Sequence, residues 1–170
     1  SQSKTFLLMK GIISLFLLGG LLLTPLGCSV LEQDPNHYKS QSFSMTFEDR
    51  NWRRIDSHNS DIAFSHIKNG AILMANSLCG KYQNVSLDKL SGHLLEGIKD
   101  IVIIKKSKSQ FRDRLSIRMH ATGKIDGVTV SLLIQTFKKD HCTYDFALIS
   151  TGKDLLEKDF ESFLSSLQIR

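Results

Sequence analysis

Asp140-His141-Cys142 sets an acid, an imidazole and a thiol side by side. A base beside a thiol is the arrangement that activates a cysteine nucleophile. Adjacent residues of a strand point to opposite faces, so in an extended segment His141 and Cys142 do not meet. Working nucleophiles also draw their partners from distant segments. Cys79, His120, His141 and Cys142 together are zinc-ligand types, but no Cys-x-x-Cys or His-x-x-x-His spacing joins them. The six histidines, at 37, 58, 66, 93, 120 and 141, are scattered. His66, on a strand with apolar neighbours, reads as a hydrogen-bonded structural residue. These residues assemble no catalytic set, no metal site and no cofactor motif, and the expectation is a protein that is not an enzyme.

The third cysteine has a different setting. Lys4 and Lys10 flank the start of an apolar run that ends at Leu26-Gly27-Cys28, and the chain turns polar at once beyond it. A charged start, an apolar middle and a small-residue boundary make a secretory signal. With the cysteine at the boundary, the segment resembles a bacterial lipoprotein signal, although Pro25 stands where a leucine is usual. That resemblance implies a diacylglyceryl group on the Cys28 thiol, cleavage before Cys28, and acylation of the new terminus by a fatty acid such as palmitate. A transmembrane anchor fits less well, because the uncharged run is at the short limit for a span and carries Gly19, Gly20 and Pro25. The chain divides into a signal peptide (1–27), a lipidated tether (28–41) and a single domain (42–170). The expected location is the cell envelope, anchored at Cys28 and facing the periplasm. The sequence leaves inner or outer membrane open.

Lipidation of Cys28 leaves Cys79 and Cys142 as a pair. An exported chain sits in an oxidising space, so a disulfide between them is the natural reading. The formal charge of the chain is +5, and Lys4 and Lys10 of the signal account for two of those charges. So mild an excess is not the footprint of a nucleic-acid partner. Lys105, Lys106, Lys108, Arg112, Arg114 and Arg118 gather on a strand end, a loop and the next strand. They form a candidate contact surface for lipid headgroups or an acidic partner. Their bland alternative is a solvated loop whose charges guard an apolar strand.

The domain that positions these residues opens with Phe43, Met45 and Phe47 alternating with polar residues, a half-buried strand. Trp52 and Ile55 follow a polar break. Residues 61–67 and 71–79 read as a hairpin closed by a type I′ turn at Asn69-Gly70. Ser86 is an N-cap for a helix carrying Leu87, Leu90, Leu94 and Ile98, weakened by Gly92 and Gly97. Ile101 to Lys106 reads as a buried strand. Asp126-Gly127 closes a second hairpin, pairing Ile125 with Val128, Ala121 with Leu132, Met119 with Ile134 and Ile117 with Thr136. Cys142 to Ile149 is a further strand. A last helix, capped near Asp154 and Glu157, buries Leu156, Phe160, Phe163, Leu164 and Leu167.

Four strands, a helix, four strands and a helix, with hairpins between them, predict an α+β fold. It has an antiparallel β-sheet of about six to eight strands with two main helices packed on it. The opening SFSMTFEDRNW, the hairpin DIAFSHIKNGAILMANS, the helix near residues 86–98, the long central hairpin and the closing FESFLSSLQI resemble the PsbP-like and DcrB-like α/β/α sandwich domains. Asn51 stands where those domains often have proline before the tryptophan. The resemblance implies an exported, often lipid-anchored protein acting as a non-catalytic accessory or assembly subunit of a membrane complex. The alternative is a carrier or binding protein for a small apolar or lipid-like ligand, held on a sheet face lined by Phe64, Met74 and Phe146.

Overall fold

The computed structural model describes residues 37–152 and 156–169. The apolar run, its boundary and Cys28 lie outside the described residues, as does Asp154. Among the described residues no helix is long and apolar enough to cross a membrane.

The chain forms β1 (His37–Lys39), β2 (Phe43–Thr46), β3 (Trp52–Ile55), β4 (Ile62–His66), β5 (Ile72–Cys79), α1 (Leu87–His93), β6 (Lys99–Phe111), β7 (Arg114–Ile125), β8 (Val128–Lys139), β9 (Cys142–Ser150), α2 (Glu157–Ser165) and β10 (Leu167–Ile169). Seven strands make one antiparallel sheet in the order β3-β4-β5-β9-β8-β7-β6, and a second sheet runs β1-β2-β10. The α+β architecture is as predicted. The second sheet adds two short strands, one of them from the end of the segment read as tether. His37–Lys39 pairs along β2, whose other edge takes β10, so the two ends of the domain are tied to one strand.

Alternation decides which side chains meet. Phe64, Leu73, Ala75, Phe146, Leu148 and Phe137 share one face of the large sheet, and α2 and the small sheet close over it. Phe163 of α2 sits at its centre, 5.4 Å from Phe47, 6.0 Å from Phe64 and 6.2 Å from Phe146, ring centre to ring centre. Such edge-on pairs are worth about 0.5–1.5 kcal/mol each beyond their buried area. Helix α1 packs on the opposite face, against β7 and β8. The turns after it place Leu95 and Ile98 on Ala121, Val130 and Leu132.

The predicted register of the central hairpin is observed at all four expected pairs. The Ser86 cap is also observed, its side chain accepting from the Lys89 N–H at 3.3 Å. Six expectations need correction. The strand begun at Ile101 is not buried: as β6 it runs to Phe111 along the sheet's edge, and Val102, Ile103 and Ile104 are exposed. The loop expected around Lys108 is therefore strand. Asn69-Gly70 is not a two-residue type I′ turn. Gly70 has φ +69° but Asn69 is not in the left-handed region, and a longer loop bonds the Gly70 N–H to the His66 carbonyl. Helix α1 ends at His93, where the bonds tighten from Gly92, His93 and Leu95 carbonyls to N–H groups three residues on. Helix α2 starts at Glu157 with Leu156 at its N-cap and no side-chain cap. Met74, finally, pairs with Ala63 and Ala147 and so faces away from Phe64 and Phe146.

Candidate functional site

The six cations of the sequence lie around one end of the large sheet, on β6, β7 and the turn joining them, and the pleat divides them. Lys105 pairs with His120, and Ser107 pairs with Arg118, which places Lys105 and Arg118 on the face under α2. Lys106 and Lys108 pair with Met119 and Ile117 and so take the opposite face, where α1 lies. There both reach Asp88, at 3.2 Å and 3.7 Å. The two ammonium groups hold the Asp88 carboxyl below its usual range, the hydrogen bond from Lys106 leading. Arg112 and Asp113 form the β6–β7 turn, both with positive φ. The Arg112 guanidinium donates to the Ser165 carbonyl at 3.0 Å and lies near the Phe111 ring.

Arg118 is the most engaged of the six. It donates to Glu161 and to Gln135, and Glu157 stands 3.7 Å away. Beside it a hollow of about 260 Å³ is lined by Lys105, Ser107, Arg118, His120, Leu133 and Glu157. The Nε2 of His120 is buried there without a hydrogen-bond partner.

The cysteine chemistry resolves into structure. Cys79 and Cys142 face each other at paired positions of β5 and β9 and are joined by a disulfide. Neither thiol is left to act as nucleophile or zinc ligand. Asp140 and His141 are the two-residue turn between β8 and β9, both at positive φ, and not strand residues. Among the described residues no group of three or more His, Cys, Asp or Glu is placed to hold a metal ion. His66 differs from its expected role, because its Nδ1 is buried with no hydrogen-bond partner while its ring meets the Trp52 ring at 5.0 Å.

Sequence reasoning passed over Asp145. It lies between Asn76 and Thr136 on the α1 side of the sheet and accepts a hydrogen bond from the Thr136 hydroxyl at 2.8 Å. Burial pushes its carboxyl up to about 6, against the lowering effect of that bond. An acid amid apolar alternation was the available signal.

No family model matches the sequence, and no curated protein does either. Solved structures do. The solution structure of cyanobacterial PsbP (CyanoP) from Synechocystis sp. PCC 6803 aligns with a TM-score of 0.56 at 10% identity, over 86% of this chain and 100% of that one. The fold is PsbP-like. The crystal structure of LpqN, involved in cell envelope biogenesis of Mycobacterium tuberculosis, aligns with a TM-score of 0.54 at 11% identity over 75% of this chain and 82% of that one. A crystal structure from Bacteroides thetaiotaomicron VPI-5482 aligns at 0.52 and 11% identity, over 75% of this chain and 45% of that one. At such identities the likeness is one of fold, and function has to be argued from the residues.

Proposed function

We propose that this protein is a lipid-anchored envelope lipoprotein serving as a non-catalytic accessory or assembly subunit of a membrane complex. The observation that carries the reading is the filled interior of the PsbP-like domain. Phe64, Phe146, Phe160 and Phe163 are each 0% exposed and packed together. A carrier of an apolar ligand needs a concave, largely apolar pocket. Here the space such a pocket would occupy is filled by phenylalanine rings, and the hollows at the surface are lined mostly by charged and polar side chains. Recognition then falls to the outer surface, as it does in an assembly subunit. The Leu26-Gly27-Cys28 boundary supports membrane anchoring, and the fold shared with LpqN fits an envelope setting.

Affinity capture of the intact protein from detergent-extracted membranes tests this reading. The expected result is a stable protein partner retained through a salt wash. Co-purification of a lipid or metabolite with no protein partner would overturn it in favour of a carrier. Mass spectrometry of the membrane fraction should find Cys28 acylated, and Cys28→Ser should block maturation. A mature chain with unmodified Cys28 would remove the anchor from the proposal.

A further inference from the structure

Among the described residues the outer edge of β6 is the longest strand edge without a neighbour, running for 13 residues. The opposite edge of the same sheet, β3, has 4 residues, two of them Arg53 and Arg54. Short, charged edges are how proteins prevent unwanted strand pairing. β3 follows that rule; β6 carries Lys105, Lys106 and Lys108 but is long, and its stretch from Val102 to Ile104 has no charge. Val102, Ile103 and Ile104 are 59%, 49% and 55% exposed in succession. Register shifts against β7 bracket them, between Lys99 and Val102 and between Ile103 and Lys105. Bulges of this kind re-aim side chains. Directly beyond the apolar trio come Lys105, Lys106 and Lys108, the last with 65% of its side chain exposed.

We propose that the β6 edge is a docking site for an extended segment of a partner protein, apolar at one end and acidic at the other, which adds to the sheet as an eighth strand. The inference rests on the accessory reading above and names how the partner is held. Main-chain hydrogen bonds to the open edge give affinity, and alternate side chains give specificity. The apolar end covers Val102 to Ile104. The acidic end meets Lys105 and Lys108, whose repulsion would exclude a basic strand.

In full overlap charge argues against a second copy of this chain as the occupant; a register centred on Ile103, which would set Lys106 against Asp100, is left to the sedimentation test below. Full antiparallel overlap of two β6 strands centres on Lys105. It lays Val102, Ile103 and Ile104 against Lys108, Ser107 and Lys106 of the other copy. Apolar residues then face ammonium groups, and the two lysine clusters converge while Asp100 of each copy falls opposite Gln110.

The test uses two labelled synthetic decapeptides of one composition, half valine and threonine and half glutamate and threonine, with either half first. A control replaces each glutamate by lysine. Fluorescence anisotropy should show one acidic peptide binding and the lysine control not binding. Hydrogen exchange at residues 101–108 should slow in the complex. Ile104→Lys, and separately Lys105→Glu with Lys108→Glu, should weaken binding at least about tenfold. Both variants sit on an exposed strand, and an unchanged thermal midpoint shows that the fold is kept. Absence of binding up to about 1 mM peptide, equal binding of the lysine control, or protection confined to another strand would overturn the proposal. So would sedimentation showing a dimer that Ile104→Lys dissolves. Affinity capture separates this idea from the accessory reading. A partner retained equally by wild type and Ile104→Lys sinks the edge alone. Peptide binding at β6 with no partner in membranes sinks the accessory reading alone.

Discussion

Arg118 of β7 lies with its guanidinium 4.7 Å from the centre of the Phe160 ring of α2. The same group donates to Glu161 on the next residue of that helix. One side chain thus ties the sheet to α2 through an aromatic face and a carboxylate at once. Its charge is spent on the fold, whereas Lys105 is exposed on the rim strand. Arg118→Ala should lower stability by about 1–2 kcal/mol, combining a partly buried cation–π contact with a mostly exposed ion pair. Arg118→Lys should lose less but still some, because lysine lacks the flat fork. Urea denaturation of these variants with Phe160→Leu in a double-mutant cycle checks it. An additive cycle would show that Arg118 and Phe160 are not coupled.

The Cys79–Cys142 bond spans 63 residues of sequence. In the chain-entropy account a loop of that size stabilises by about 4 kcal/mol. The Cys79→Ser, Cys142→Ser double variant should therefore unfold at markedly lower urea, and reductant should shift wild type in the same direction. Non-reducing peptide mapping should recover the two cysteines in one cross-linked pair. Free thiols at both positions without reductant would contradict the structure.

Asp145 predicts a pH dependence. Its folded carboxyl titrates at about 6 because burial disfavours the charge, against roughly 3.9 in an unfolded chain. Between those values the folded state holds the proton more tightly. Its contribution to stability is complete below about pH 4 and is lost as pH rises through about 6. Asp145→Asn keeps an acceptor for the Thr136 hydroxyl and removes the charge. It should be more stable than wild type by about 2 kcal/mol at pH 7.5, with the gap closing toward pH 4.5. A gap independent of pH would rule out titration of Asp145 as its cause.

Two glycines should respond with opposite signs. A Cβ on Gly123 would stand 2.6 Å from Ile98 Cγ2 and 3.0 Å from the Lys99 carbonyl oxygen. The link from α1 to β6 crosses β7 at that point, so Gly123→Ala should cost about 1–3 kcal/mol. Gly92, inside α1, has open space around its Cβ position and no positive φ. Gly92→Ala should raise stability by about 0.5–1 kcal/mol. Thermal denaturation of the pair distinguishes close approach from mere flexibility.

What could be read from the residues followed their range of action. The β7–β8 register was legible because Asp126-Gly127 fixes the turn and period two does the rest. Cys79 and Cys142 were legible from counting and from the oxidising compartment that the apolar run led us to expect. The position of β6 was not, since an apolar run looks the same at the centre of a sheet as at its rim. Only the strand order shows that, among the described residues, no strand lies beyond β6. The division of Lys105 from Lys106 and Lys108 depended on that strand continuing where a loop was expected. His66 and Asp145 carry buried polar atoms whose surroundings are set by distant segments, and no local pattern reports those.

The strand order also bears on how the chain reaches its native state. β3-β4-β5 and β6-β7-β8-β9 are each meanders of sequence neighbours, and β5–β9 is the one seam between them. The meanders can zip from their turns with little loop-closure entropy, while the seam has to bring together residues far apart in sequence. The disulfide sits at the end of that seam. Once it has formed, the slowest encounter in assembly becomes a local one, so the order in which oxidation and collapse occur governs how long the unpaired β5 and β9 edges stand open to other chains.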